Sequence, residues 1–157
     1  MGLKRVEAPF DNVVIDPDTG ALTSLVTELD SGLSVVIAPI LDLAKTEGLH
    51  LTHPDRQIRK ATAGYLGELA RFCADLGGNV MVLGSPQQRN VPSGQSMESA
   101  MENAAEVIRA VVPRLEQRAV RLAIEPLGHE EGNFLNTAAD ARQLQAMIDS
   151  PQVQLHL

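Results

Sequence analysis

The sequence predicts an α/β chain built on a parallel sheet, and three observations carry that expectation. Long amphipathic stretches alternate with short, unbroken apolar runs. Each run is halted by Gly, Pro or Glu-Pro. The succession of helix, tight turn and buried strand then recurs along the chain. With 157 residues the chain suits one domain, 1–157, large enough to bury a core.

The middle third is clearest. Asp55 to Leu76 reads as a helix carrying Ile58, Leu66, Leu69, Ala70, Cys73 and Leu76 on one face, with Thr62 as a polar interruption. Gly77-Gly78 marks its left-handed end. Val80 to Leu83 follows as a strand buried on both faces, the habit of parallel sheets, and stops at Gly84-Ser85-Pro86. After a polar loop, Gln87 to Gln95, a second helix starts near Ser96, with Pro113 expected to kink or break its last turn. Val120 to Ile124 is the next strand and ends on Glu125-Pro126. Thr137 and Asp140 have capping-box spacing and open a third helix to about Ile148. Pro151 closes that helix before a strand from Val153 to Leu157. In the first third, Leu3 to Ala8 reads as a strand, Ala21 to Leu29 as a short helix, and Leu33 to Leu41 as a strand with Pro39 near its exit. The total is about five strands alternating with four helices, joined by right-handed crossovers.

Composition narrows the function. Thirteen Lys+Arg against 20 Asp+Glu, a net charge of −7, argues against a nucleic-acid or anionic-membrane surface. One cysteine excludes an internal disulfide framework and a thiolate zinc cluster. No apolar run approaches the roughly 18 residues of a membrane span, and Met1 to Arg5 opens no signal peptide. A soluble, cytoplasmic, globular chain is expected. Neither a Gly-x-Gly-x-x-Gly fingerprint nor a Gly-Lys-Ser phosphate loop is present.

In such a sheet, reactive residues sit at the carboxyl ends of strands. Glu125, directly after Leu122-Ala123-Ile124, is the sharpest candidate, because a carboxylate at the rim of an apolar strand needs a cation or donor. A rim glutamate paired with an arginine explains it equally well. Glu7 has the same logic on a weaker strand. The loop Gly128 to Phe134 is dense in polar groups, and His129 or Glu131 could reach a polyhydroxylated substrate, although a solvated acidic loop is the simpler reading. His50 and His53 read as loop surface residues and Cys73 as core. Ser85 lacks the Gly-x-Ser-x-Gly elbow of a serine hydrolase.

Leu83 to Asn90, Leu122 to Leu127 and Asn133 to Thr137, together with Pro54-Asp55 and Arg59, resemble the xylose-isomerase-like TIM barrels. The closer likeness is to the sugar phosphate isomerase/epimerase branch that holds ketose 3-epimerases and hydroxypyruvate isomerases. The resemblance implies a parallel (β/α) barrel of TIM type. It also implies a sugar isomerase or epimerase that removes a proton beside a carbonyl through a cis-enediolate, with Mn²⁺, Mg²⁺, Co²⁺ or Zn²⁺ as cofactor. On this resemblance Glu125 is metal ligand and catalytic carboxylate, Glu131 and His129 are substrate contacts, and Gly84 lies where the strand end approaches the sugar. Further metal ligands would fall beyond Leu157. A full barrel takes about 250 residues, so the chain is expected to hold strands two to six of an incomplete barrel, inactive alone. Two other readings remain. An apurinic-site endonuclease would need a zinc-binding His where Ile37 precedes Ala38-Pro39, and the acidic balance disfavours it. A non-catalytic half-barrel would cover its edges as a homo-oligomer or with a complementing chain.

Overall fold

The structure is a computed structural model. It describes four strand segments in the first third, then residues 48–75 and 77–156. Seven strands form one sheet in chain order. These are β1 (Lys4–Val6), β2 (Val13–Ile15), β3 (Leu22–Glu28), β4 (Ser34–Ile37), β5 (Val80–Leu83), β6 (Arg121–Ile124) and β7 (Val153–Leu155). Among the described residues three helices alternate with the last four strands: α1 (Arg56–Asp75), α2 (Met97–Arg118) and α3 (Ala138–Ile148). β4 to β7 pair in parallel, so β4-α1-β5-α2-β6-α3-β7 is the run of crossovers the sequence predicts.

The first third departs from expectation. β1 to β4 pair antiparallel, and the segment read as a helix, Ala21 to Leu29, contains strand β3. Its Thr23, Val26 and Thr27 are β-branched and stiff at χ1, which favours a pleated backbone over a helix. β2 was not anticipated, and the sheet is therefore mixed rather than wholly parallel. Glu7, Pro39, Leu76 and Leu157 lie outside the described residues.

The helices bury the faces their periodicity predicts. Leu66, Ala70 and Cys73 of α1, Ala104, Ile108, Val111 and Leu115 of α2, and Ala141, Leu144 and Ile148 of α3 form one core with Met81, Leu83, Leu122, Ile124 and Val153 of the strands. Strand alternation turns Val82 and Ala123 to the opposite face, where they too are buried. Glu125 continues the Ala123 row, so its side chain leaves the sheet away from the helices.

Local chemistry fixes the element ends. Asp55 Oδ1 accepts from the amide of Gln57 at 2.8 Å and starts α1. Gly77, at φ +82°, and Gly78 close it by donating to the carbonyls of Ala74 and Cys73. Thr62, the polar residue on the apolar face, accepts from the amide of His50 at 2.9 Å and donates to the carbonyl of Ile58 at 2.8 Å, so its burial leaves no orphan. α2 runs through Pro113 to Arg118 without the expected break. Pro113 lies on the exposed side, where water can satisfy the carbonyl it leaves unpaired.

Thr137 and Asp140 form a complete capping box at the start of α3. Thr137→Ala is expected to lower unfolding free energy by about 1 kcal/mol, the typical value of such a cap. Urea unfolding with an unchanged slope and a lower midpoint checks it.

Candidate active site at the strand ends

β5 and β6 end side by side. Their parallel register finishes at Leu83 opposite Ile124, and the Glu125 amide then donates to the Leu83 carbonyl at 3.2 Å. This bond carries Glu125 one residue beyond the strand and sets its carboxylate over Gly84. A Cβ on Gly84 would be closer to Glu125 Oε2 than any real Cβ contact allows, so the missing side chain creates the seat of the carboxylate. On the other side, His156 continues β7, its amide donating to the Ile124 carbonyl at 2.9 Å. Its Nδ1 lies 3.4 Å from Glu125 Oε1. The Glu125 side chain remains 36% exposed, open enough to meet a ligand.

Beneath this rim lies Arg89, 1% exposed. Its Nη1 donates to the carbonyl of Glu125 at 2.7 Å and to that of Leu83 at 3.2 Å. Burial pulls the guanidinium down to about 10, opposed by the charges of Glu125 and then Glu131. It remains a cation at neutral pH. Arg89 meets Glu125 through its backbone carbonyl, and among the described residues no carboxylate–guanidinium bridge to Glu125 forms.

Three βα loops are stitched together around this rim. Thr52, before α1, donates from Oγ1 to the Asn90 carbonyl at 2.7 Å, and the Leu51 amide donates to the Gln88 carbonyl at 2.7 Å. Asn90 Oδ1 accepts the Asn133 amide at 2.9 Å, while Asn133 Oδ1 accepts the Val91 amide at 2.6 Å and Asn133 Nδ2 donates to the Val91 carbonyl at 3.1 Å. Asn136 Nδ2 donates to the carbonyls of Leu127, Gly128 and Gly132, shaping the loop after β6. Ser85 Oγ donates to the Gln88 side-chain oxygen, consistent with a positioning hydroxyl and not an activated nucleophile.

The sequence candidates therefore separate. Glu125 and Gly84 are in contact. Glu131 is exposed on the loop after β6, its Oε2 accepting the Gly128 amide at 3.0 Å, near enough for its charge to act on Arg89. His129 is exposed and lines a different cleft of about 560 Å³ with Met97, Leu135 and Met147 of the α2–α3 side. Cys73 is core, its thiol pushed up to about 11 by burial. His50 is half-buried, and His53 accepts the Asp55 amide on Nδ1 at 2.9 Å, so both shape the loop before α1. Arg89 and His156 were given no role from sequence. Period-two alternation from Gln154 could have placed His156 beside Glu125, whereas nothing in the polar run Gln87 to Gln95 marks Arg89 as buried.

Among the described residues no three His, Cys, Asp or Glu side chains gather as a metal site requires. Glu125 and His156 are donors of the right oxygen and nitrogen type, yet two fall short of the roughly six that Mn²⁺ or Mg²⁺ takes.

Residues 1–157 match the family model described as xylose isomerase-like TIM barrel. The chain belongs to this family. A probable ketose 3-epimerase of Synechocystis sp. is 31% identical over 114 residues, which are 70% of this chain and 39% of that protein. The chain thus spans well under half the length of that relative. D-psicose 3-epimerase from Clostridium cellulolyticum H10, solved with D-tagatose, superposes with a TM-score of 0.58 at 21% identity, covering 68% of this chain and 37% of that one. A D-tagatose 3-epimerase-like protein gives 0.63 at 18% identity, covering 77% and 43%. At these identities the two structures show a shared fold. No helix among the described residues is long and apolar enough to cross a membrane.

Burial, and secondarily the neighbouring His53, hold the His50 imidazole below its ordinary 6.5. The unfolded chain therefore takes up this proton before the native one does, and stability is lost as pH falls through and below 6.5. The urea midpoint is expected to drop between pH 7.5 and 5.5, and to drop less in His50→Gln. Equal drops would contradict this assignment.

Proposed function

We propose that this protein is a ketose epimerase or isomerase, acting on a free or phosphorylated sugar by proton transfer at the carbon beside its carbonyl. The single observation that carries the reading is the carboxylate of Glu125, seated over Gly84 at the carboxyl ends of β5 and β6, exposed on one side and held from below. Membership of the xylose isomerase-like family, with a ketose 3-epimerase among its relatives, supports the substrate class.

In this mechanism Glu125 takes the proton from the substrate carbon and leaves an enediolate. The Arg89 guanidinium below holds the Glu125 backbone carbonyl, and the stitched loops would hold the rim while the substrate binds. Epimerisation needs the proton returned to the opposite face, by a group outside the described residues or by the same carboxylate after the intermediate turns. In this reading Glu131 would hydrogen-bond substrate hydroxyls from the loop after β6, whereas His129, two residues earlier, lines a different cleft and takes no part. Glu125 would be one ligand of a divalent cation, which when bound polarises the carbonyl and makes the neighbouring proton acidic. Its remaining ligands would have to come from outside the described residues.

Glu125→Gln in the whole protein is expected to lower kcat by about 10²–10⁴-fold, the range for a positioned acid-base group, with the fold retained. Ketose conversion followed by chromatography measures it, and Mn²⁺ is expected to restore activity lost to EDTA. Full activity of Glu125→Gln, or indifference to chelation, would contradict the respective parts of the proposal.

A further inference from the structure

Arginine is almost never fully buried without a task that repays its desolvation. Arg89 is 1% exposed and forms no ion pair with a carboxylate among the described residues; its Nη1 donates instead to two main-chain oxygens. Those oxygens are not arbitrary. One belongs to Leu83, the last residue of β5, and the other to Glu125, the first residue beyond β6. The Leu83 carbonyl also accepts the Glu125 amide at 3.2 Å, so a single guanidinium nitrogen closes a ring of contacts around the Glu125 peptide. The other terminal nitrogen, Nη2, is buried without a hydrogen-bond partner among the described residues. The side chain is therefore placed for what Nη1 holds and not for its own full satisfaction. The Glu125 carboxylate occupies the space a Cβ on Gly84 would fill, so a slide of one strand end against the other would shift it relative to Gly84.

We infer that Arg89 is a positioning residue, clamping the Glu125 peptide to the end of β5 and thereby aiming the Glu125 carboxylate over Gly84. This rests on the reading of Glu125 as the reacting group, so the test has one arm that needs no activity. Arg89→Met and Arg89→Lys are made in the whole protein. Lys keeps the charge but cannot reproduce the planar, multi-donor guanidinium.

Residue-resolved amide hydrogen exchange without substrate is the first arm. The Glu125 amide is expected to exchange about tenfold faster or more in Arg89→Met, and less so in Arg89→Lys, while Leu122 in the same ladder keeps its protection. Unchanged exchange at Glu125 overturns the clamp. The second arm measures epimerisation per folded protein, using ketose deuterated at the abstracted carbon. The expected result is a fall in kcat of about 10²-fold in Arg89→Met, the scale of an ångström's misplacement, with KM nearly constant and a larger deuterium isotope effect on kcat. An unchanged kcat per folded protein in Arg89→Met overturns the positioning role. If wild-type protein converts no ketose while Glu125 exchange responds as expected, the clamp stands and the functional reading falls. Should Arg89→Met not fold, Arg89→Lys carries both arms.

Discussion

The structure around the candidate site depends on one constraint: the ends of β5 and β6 must stay in register one residue past the last ladder pair. The bond from the Glu125 amide to the Leu83 carbonyl sets that register, and the buried Arg89 guanidinium holds the two carbonyls that flank it. The donations to these two carbonyls offset part of the cost of burying the guanidinium, whose Nη2 has no partner among the described residues. Gly84 completes the arrangement by leaving room for the carboxylate that any side chain would displace.

The outer layer extends the same logic. Polar side chains of the loops, Thr52, Asn90, Asn133 and Asn136, are committed to backbone groups of neighbouring loops. Their work is to hold a rim, at which Glu125 stays partly exposed beside His156 and Glu131 accepts the Gly128 amide. Catalytic groups on loops gain precision when a rigid scaffold fixes the loops, and here the loops fix one another.

Most of the parallel half was legible in the sequence, because each element there is announced by more than one signal. α1 has an apolar stripe and a Gly77-Gly78 end; α3 has its capping box; β5 is an unbroken apolar run and β6 one interrupted only by Arg121. The first third was not, since Ala21 to Leu29 is short and its apolar spacing fits a helix as readily as a strand. Its β-branched residues and antiparallel partners decided for β3. Glu125 and Gly84 could be found because the end of a strand is a place sequence can mark. Arg89 could not, because a long side chain that folds back under its own loop leaves no periodic trace. His156 was within reach of the alternation rule, one step beyond β7, and becomes meaningful once β7 is paired beside β6.

Proton transfer at the carbon beside a ketose carbonyl is the central claim, and isotope wash-in tests it most directly. The whole protein is incubated with a ketose in deuterium oxide with a divalent cation, and product and recovered substrate are read by NMR. The account predicts one solvent deuteron at the carbon next to the carbonyl in the product, and none when Glu125 is replaced by Gln. Conversion of the sugar without deuterium at that carbon, or wash-in undiminished in Glu125→Gln, would contradict it.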